Sequence, residues 1–202
     1  VGSEMCIRDR YNGLRGTQTL LQNNNNYHDI VYSTAADKFV FFYRDEGDGN
    51  KGKARVVTQG TGAAKGTLSV GAAIQFTAAS PLNIRALYDS TNDKVVVSYR
   101  DGNNSNRGSV CVGTISGTSI TFGTPVQSVT GSESGGGGSM EYSSFCYCPN
   151  TDNYALVYNS SSGNKGWCRI GKYSATISSS WPIASVEFLN QQARETGCWY
   201  DT

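Results

Sequence analysis

Apolar positions in this chain fall in short runs, each closed by a polar turn, and three of the runs are near copies of one another. DKFVFFYRDEGDGNKGKARVV from Asp37, DKVVVSYRDGNNSNRGSVCVG from Asp93 and DNYALVYNSSSGNKGWCRIG from Asp152 share one layout. Each has an acidic turn residue, a six-residue run ending in Tyr, a polar loop, a Gly and a second apolar run. Asp37 to Asp93 is 56 residues and Asp93 to Asp152 is 59, and Tyr43, Tyr99 and Tyr158 keep the same intervals. A repeat of this length built from several short strands is the signature of a solenoid or a propeller.

The pattern predicts four short antiparallel strands per unit, joined by turn residues. In the second unit the strands are Ile84–Tyr88, Val95–Tyr99, Val110–Ile115, and Ile120–Phe122 extending through Val126. Ser116-Gly117 reads as a hairpin, since Gly takes the positive φ such turns need. Pro125 cannot donate to a ladder, so the fourth strand should break there or lie at an edge. The first unit repeats this with Ile30–Tyr32, Phe39–Tyr43, Ala54–Val57 and Leu68–Phe76. The third has Tyr142–Cys148, Tyr154–Tyr158, Trp167–Ile170 and a less regular region from Ile177 to Phe188.

Strand two of the middle unit is apolar on both faces, with Val95, Val97 and Tyr99 on one and Val96 beside small Ser98 on the other. A sheet with one wet face would alternate more strictly, so each sheet is expected to be covered on both sides. The expected fold is all-β, a partial β-propeller of four-stranded antiparallel blades. A β-sandwich is the alternative. The divisions are 27–80, 81–134 and 135–192 for three blades, with 11–26 as the end of a preceding blade. Residues 193–202 open a further one, because Tyr200-Asp201 lies 112 residues, twice 56, after Tyr88-Asp89. The chain is expected to be part of a longer array whose remaining blades are its partners.

Composition narrows the function. Charged residues are 16% and the net charge is +1, so no field draws nucleic acid or an anionic membrane. No apolar run reaches the ~18 residues of a membrane span, so no membrane insertion is expected. The first ten residues, VGSEMCIRDR, resemble a translated sequencing-adapter fragment and are set aside as a non-native leader. Five cysteines then remain: Cys111, Cys146, Cys148, Cys168 and Cys198. An odd count without a framework argues against a disulfide scaffold, and buried free thiols are the expected state. One disulfide stays open in an extracellular setting. Cys146 and Cys148, two apart on a strand, would share a face, but His28 is the single histidine and no second pair completes a zinc site.

The segments Asn83-Ile84-x-Ala86-x-Tyr88-Asp89, Asp93 to Asp101 (DKVVVSYRD) and Gly108 to Val126 (GSVCVGTISGTSITFGTPV) resemble tandem repeats of marine viral and environmental proteins. Some of those are similar to phage tail fibres or other virion-surface proteins. The likeness covers Pro81–Val129 well, Tyr27–Phe76 moderately and the third unit poorly, since Asn159-Ser160 stands in place of Arg44-Asp45 and Arg100-Asp101. It implies a propeller-like adhesive module on a virion or in the extracellular space, and carries no catalytic residues across.

Candidate ligand chemistry gathers in the loops between strands two and three: Arg44, Asp45 and Asn50 in one unit, Arg100, Asp101, Asn103 and Asn106 in the next. A guanidinium forks onto a carboxylate, which suits an acidic sugar. A guanidinium recurring unit by unit equally suits a structural pair with the neighbouring unit. Asp45, Asp48 and Asn50 have the oxygen-rich character of a calcium loop without the spacing of an EF-hand, so a plain turn is preferred and no cofactor is expected. Asp37, Asp93 and Asp152 sit in equivalent turns, as structural turn-formers do. Trp167, Trp181 and Trp199 are the rings available for stacking on sugars, in a different unit from the polar loops. Asn103-Asn104-Ser105 and Asn159-Ser160-Ser161 are glycosylation sequons. The leading reading is a non-catalytic module that binds surface glycans. A propeller glycosidase or sialidase-like enzyme with catalytic groups in other blades is second, and a structural spacer third.

Overall fold

A computed structural model describes residues 25–61, 66–129, 139–161, 165–174, 178–180, 185–189 and 197–198. They form three antiparallel sheets of one plan, with no α-helix among the described residues. Sheet 1 holds β1 (Asn25–Ser33), β2 (Lys38–Asp45), β3 (Lys51–Gln59), β4 (Leu68–Val70) and β5 (Ile74–Thr77). Sheet 2 holds β6 (Pro81–Asp89), β7 (Lys94–Asp101), β8 (Arg107–Ser116), β9 (Ser119–Phe122) and β10 (Val126–Gln127). Sheet 3 holds β11 (Met140–Cys148), β12 (Asn153–Ser160), β13 (Lys165–Ser174), β14 (Ser178–Ser180) and β15 (Val186–Leu189). The all-β expectation holds. The calls on residues 1–24, on Trp181, on Trp199 and on Tyr200-Asp201 lie outside the described residues.

Each unit has three long strands and a fourth divided into two short pieces that both pair with the third. In sheet 2 the division falls at Gly123–Pro125, where Pro125 has no N–H to give to a ladder. The hairpin before it turns on Gly117 at φ 59°. The Gly common to all three units has a packing reason. Gly52, Gly108 and Gly166 each open the third strand, and a Cβ there would collide with Phe76, Val129 and Phe188 respectively, side chains of or just beyond the fourth strand. The tight turns between first and second strands end on Asp37, Asp93 and Asp152 at φ 53°, 51° and 53°. An Asp tolerates that left-handed conformation better than most residues.

Two cores lie between the three sheets, where a β-sandwich would have one. Val40, Phe42, Ala54, Val56 and Phe76 of sheet 1 meet Ile84, Val95, Val97, Tyr99, Cys111 and Ile120 of sheet 2. Leu87, Val96, Val110, Val112 and Val129 on the reverse of sheet 2 meet Met140, Phe145, Tyr154, Leu156 and Tyr158 of sheet 3. Odd-numbered residues of β7 thus look back and Val96 looks forward, which is the two-faced burial that its composition requires. Phe42, Phe76, Phe122 and Tyr99 form a ring cluster with edge and tilted contacts at 5.5–6.1 Å. Each such buried ring contributes roughly 1.5–3 kcal/mol by area alone. Tyr43, Tyr99 and Tyr158 are all buried at the equivalent place on the second strand.

First strands sit against first strands, β1 on β6 and β6 on β11. Side chains stitch this row to the neighbouring backbone. Ala86 N donates to Asp29 Oδ2 at 2.8 Å, and Arg85 Nε donates to Ser143 O at 3.0 Å. The sheets are therefore in register. The loops between strands two and three of sheets 1 and 2 emerge at one edge of the stack, where β12 ends and β13 begins, and the turns between strands one and two lie at the other.

Candidate functional site

The edge that carries the strand two–three loops also carries a repeated irregularity. The pairing of β1 with β2 slips between Asn26 and Asp29, that of β6 with β7 between Leu82 and Arg85, and that of β11 with β12 between Glu141 and Ser144. At each slip one residue adopts positive φ: Tyr27 at 49°, Asn83 at 48° and Tyr142 at 43°. None is Gly, and left-handed backbone at a bulky residue is held only where surrounding structure requires it. A β-bulge re-aims a side chain. Here it turns two rings outward, leaving Tyr27 42% and Tyr142 49% exposed.

Charged groups flank those rings. In unit one the Arg44 guanidinium lies 5.0 Å from the centre of the Tyr27 ring, within cation–π range. Its Nη2 also donates to Glu46 Oε1 at 2.7 Å, and Asn26 Nδ2 donates to the same oxygen at 2.6 Å. The hydrogen bond from Arg44, then that from Asn26, holds the Glu46 carboxyl below its ordinary range. In unit two Arg100 Nη1 lies 3.5 Å from Glu141 Oε1 of the next unit, immediately before Tyr142. The two arginines therefore differ: Arg44 is paired within its own unit and Arg100 across to its neighbour.

The remaining loop residues serve the backbone first. Asp45 Oδ1 accepts from Gly47 N at 3.0 Å and caps a 3₁₀ turn over Glu46–Asp48 that ends at Gly49, with Asn50 following at φ 62°. Asp101 Oδ1 accepts from Asn103 N at 2.9 Å, which leaves the Asn103 side chain exposed. Asn106, at φ 60°, offers its carbonyl to Met140 N at 2.9 Å and so starts β11. In the oxygen-rich loop, Lys53 Nζ bridges Asp45 Oδ2 and Asp48 Oδ2, both at 2.8 Å, and Lys51 takes Asp48 Oδ1 at 2.9 Å. Hydrogen bonds from Lys53 and then Lys51 hold Asp48 down at about 2. An ammonium thus sits between Asp45 and Asp48 where a calcium ion would have to, and no group of three or more His, Cys, Asp or Glu among the described residues could hold a metal.

The opposite edge is a structural clasp. Tyr32, Tyr88 and Tyr147 each donate to the turn aspartate five residues on, at 2.6, 2.9 and 3.0 Å. Tyr147 also reaches Thr91 Oγ1 at 2.6 Å, in the turn of the preceding unit. Burial, opposed in part by the Thr91 hydrogen bond, raises the Tyr147 phenol to about 12. Below it Asp89, fully buried, accepts from Thr91 N, Asn92 N, Asn92 Nδ2 and Tyr154 Oη at 3.1, 3.0, 2.9 and 2.6 Å. Burial, then the hydrogen bond to Asp89, lifts the Tyr154 phenol far above its ordinary value. These groups lock sheet 3 to sheet 2.

Tyr27, Asn83 and Tyr142 were missed in the sequence. A signal existed, since they keep the repeat intervals of 56 and 59 residues, but Tyr27 and Asn83 precede the apolar runs that mark the strands and Tyr142 only opens one. Of the two sequons, Asn103 is exposed in its loop, whereas Asn159 is buried on β12 and closed to a glycosyl donor in the folded chain. His28 is exposed and stacks on Phe41 at 5.9 Å. Trp167 lies on β13, packed against the second core rather than beside the polar loops. Among the described residues, no helix is long and apolar enough to cross a membrane. Compared with protein families, curated proteins and solved structures, the chain gives no match.

Proposed function

We propose that the chain is a non-catalytic binding or adhesion module of a larger repeat protein, stacked in propeller fashion and recognising surface glycans through its bulged edge. The observation that carries this reading is the row Tyr27, Asn83, Tyr142 at one edge, flanked by Arg44, Glu46, Arg100 and Glu141. Sheets pack about 10 Å apart, so the row spans about 20 Å and suits an extended saccharide better than a single monosaccharide. Exposed rings offer flat apolar faces for stacking, and the flanking ions offer donors and acceptors for hydroxyls. Its location would be a virion surface or another extracellular one. The propeller reading draws support from the continuous row of first strands and from the even repetition of sheet-to-sheet contacts.

A glycan array probed with the full chain, then with Tyr27→Ala and Tyr142→Ala, tests it. Each ring loss should lower affinity about tenfold, ~1.4 kcal/mol, with unfolding midpoints little changed because both rings are exposed. Binding that survives both substitutions refutes the edge as the site. Absence of any glycan binding favours the spacer reading, and turnover of a glycoside favours the enzyme.

A further inference from the structure

The outer face of sheet 3 carries thiols. Tyr154, Leu156 and Tyr158 of β12 point into the core shared with sheet 2, so Ala155 and Val157 point away from it. Cys146 pairs with Ala155 and Cys168 with Val157, which puts both thiols on the outward side. Cys148, two residues beyond Cys146 on β11, shares that side.

Cys198 comes to rest on this face. Its N–H donates to Ser144 Oγ at 2.9 Å, and its sulfur lies 3.5 Å from Ser144 Oγ and 3.6 Å from the Ala155 carbonyl oxygen. Cys146 is the Cα partner of Ala155 across the β11–β12 ladder, so its thiol stands on the outward side over that same residue. Two sulfurs are therefore gathered over one residue.

The repeat explains the meeting. Ser144 occupies the position of Asp29, and Cys198 N donates to it as Ala86 N donates to Asp29. Two residues beyond Asp29, Val31 packs with Ala86 itself at the first core, and the equivalent Leu87 and Phe145 pack at the second. Cys146 and Cys198 hold the corresponding pair of places on the outer face. Where the other two interfaces have apolar knobs, this one has two thiols.

We propose that Cys146 and Cys198 are a redox clip, joining as a disulfide that fastens residue 198 to the outer face of sheet 3. The oxidant is a small dialkyl disulfide such as oxidised glutathione. One protein thiolate attacks it, forming a mixed disulfide and releasing one small thiol. The second protein sulfur, deprotonated in turn, displaces the other small thiol. The two protein thiols lose two protons and two electrons in all, and the small disulfide becomes two thiols. Burial, then the hydrogen bond to the Cys198 thiol, pushes Cys146 up to about 12. The thiolate is the reacting form, so clipping should accelerate as pH rises.

The test incubates the full chain with oxidised glutathione, blocks residual thiols by alkylation, and maps linked peptides by mass spectrometry, in native buffer and in concentrated urea. The proposal expects a Cys146–Cys198 link that dominates in native buffer, disperses among other pairs in urea, and is reversed by dithiothreitol. Cys146→Ser should abolish it while Cys111→Ser, buried in the other core, should not. Mapping on the unsubstituted chain keeps the result decisive even where a variant fails to fold. A dominant Cys168–Cys198 or Cys146–Cys148 link overturns the proposal. So does glutathione retained on either sulfur without a link, or a link that forms equally well in urea.

Discussion

The buried Asp89–Tyr154 bond is the sharpest point at which to perturb the stack. Tyr154→Phe removes one hydroxyl and leaves the ring where it packs, tilted at 5.7 Å from Tyr147 and edge-on at 5.9 Å from Phe145. The lost interaction is a 2.6 Å hydrogen bond to a fully buried carboxylate. Bonds to charged groups are worth about 1.5–3 kcal/mol. Asp89 keeps Thr91 N, Asn92 N and Asn92 Nδ2, so the carboxylate is not stranded and the lower half of that range is expected. Asp89→Asn keeps the shape but sets an amide NH2 either against Asn92 Nδ2 and the Tyr154 hydroxyl or against the backbone N–H groups of Thr91 and Asn92, and should cost more. Combined, the two substitutions should be less damaging than their sum, with a coupling of about 1–2 kcal/mol, inside the range for residues in direct contact. Urea unfolding followed by tryptophan fluorescence and by circular dichroism measures all four corners, and agreement of the two probes checks two-state behaviour. Additivity within about 0.5 kcal/mol would refute the claim that this bond ties sheet 3 to sheet 2.

Gly71→Ala should separate sheets 1 and 2, because a Cβ there meets the Thr118 carbonyl of the β8–β9 turn; a loss of about 1–3 kcal/mol is expected, and a neutral result in urea unfolding would contradict the packing. In acid, Asp48 sits at about 2 against an ordinary 3.8, chiefly through Lys53. A carboxyl depressed in the folded state stabilises above its unfolded pKa, so that contribution should fade as pH drops from near 4 toward 2 and be reduced in Lys53→Met, where only Lys51 still holds Asp48, as thermal melts across that range will read. In alkali the sign reverses. Tyr147 is raised to about 12 and Tyr154 further, so the unfolded chain releases these protons first and stability should decline above pH 10, with tyrosinate absorbance from these rings lagging in the native chain.

The repeat, its strands and their two-faced burial could be read before any coordinates, because a period-two apolar pattern is a local property of the chain. Val95, Val96 and Val97 in succession already require a neighbour on each side, and Pro125 already marks where the fourth strand divides. The Gly opening each third strand could be seen to recur, though not what it makes room for. The candidate site was only half visible. Its polar residues stand out in the loops, but their partners depend on how sheets meet. Glu141 beside Arg100, and the Asp29 carboxylate under Ala86 N, are contacts across units, 41 and 57 residues apart. Lys53 lies on β3 outside the loop it neutralises, so the sequence shows the loop's oxygens but not the ammonium that the antiparallel pairing brings between them. Tyr27 and Tyr142 turn outward because the ladder slips at each of them. A slip of register is fixed by what packs on both faces of a strand, a property no single stretch of sequence carries.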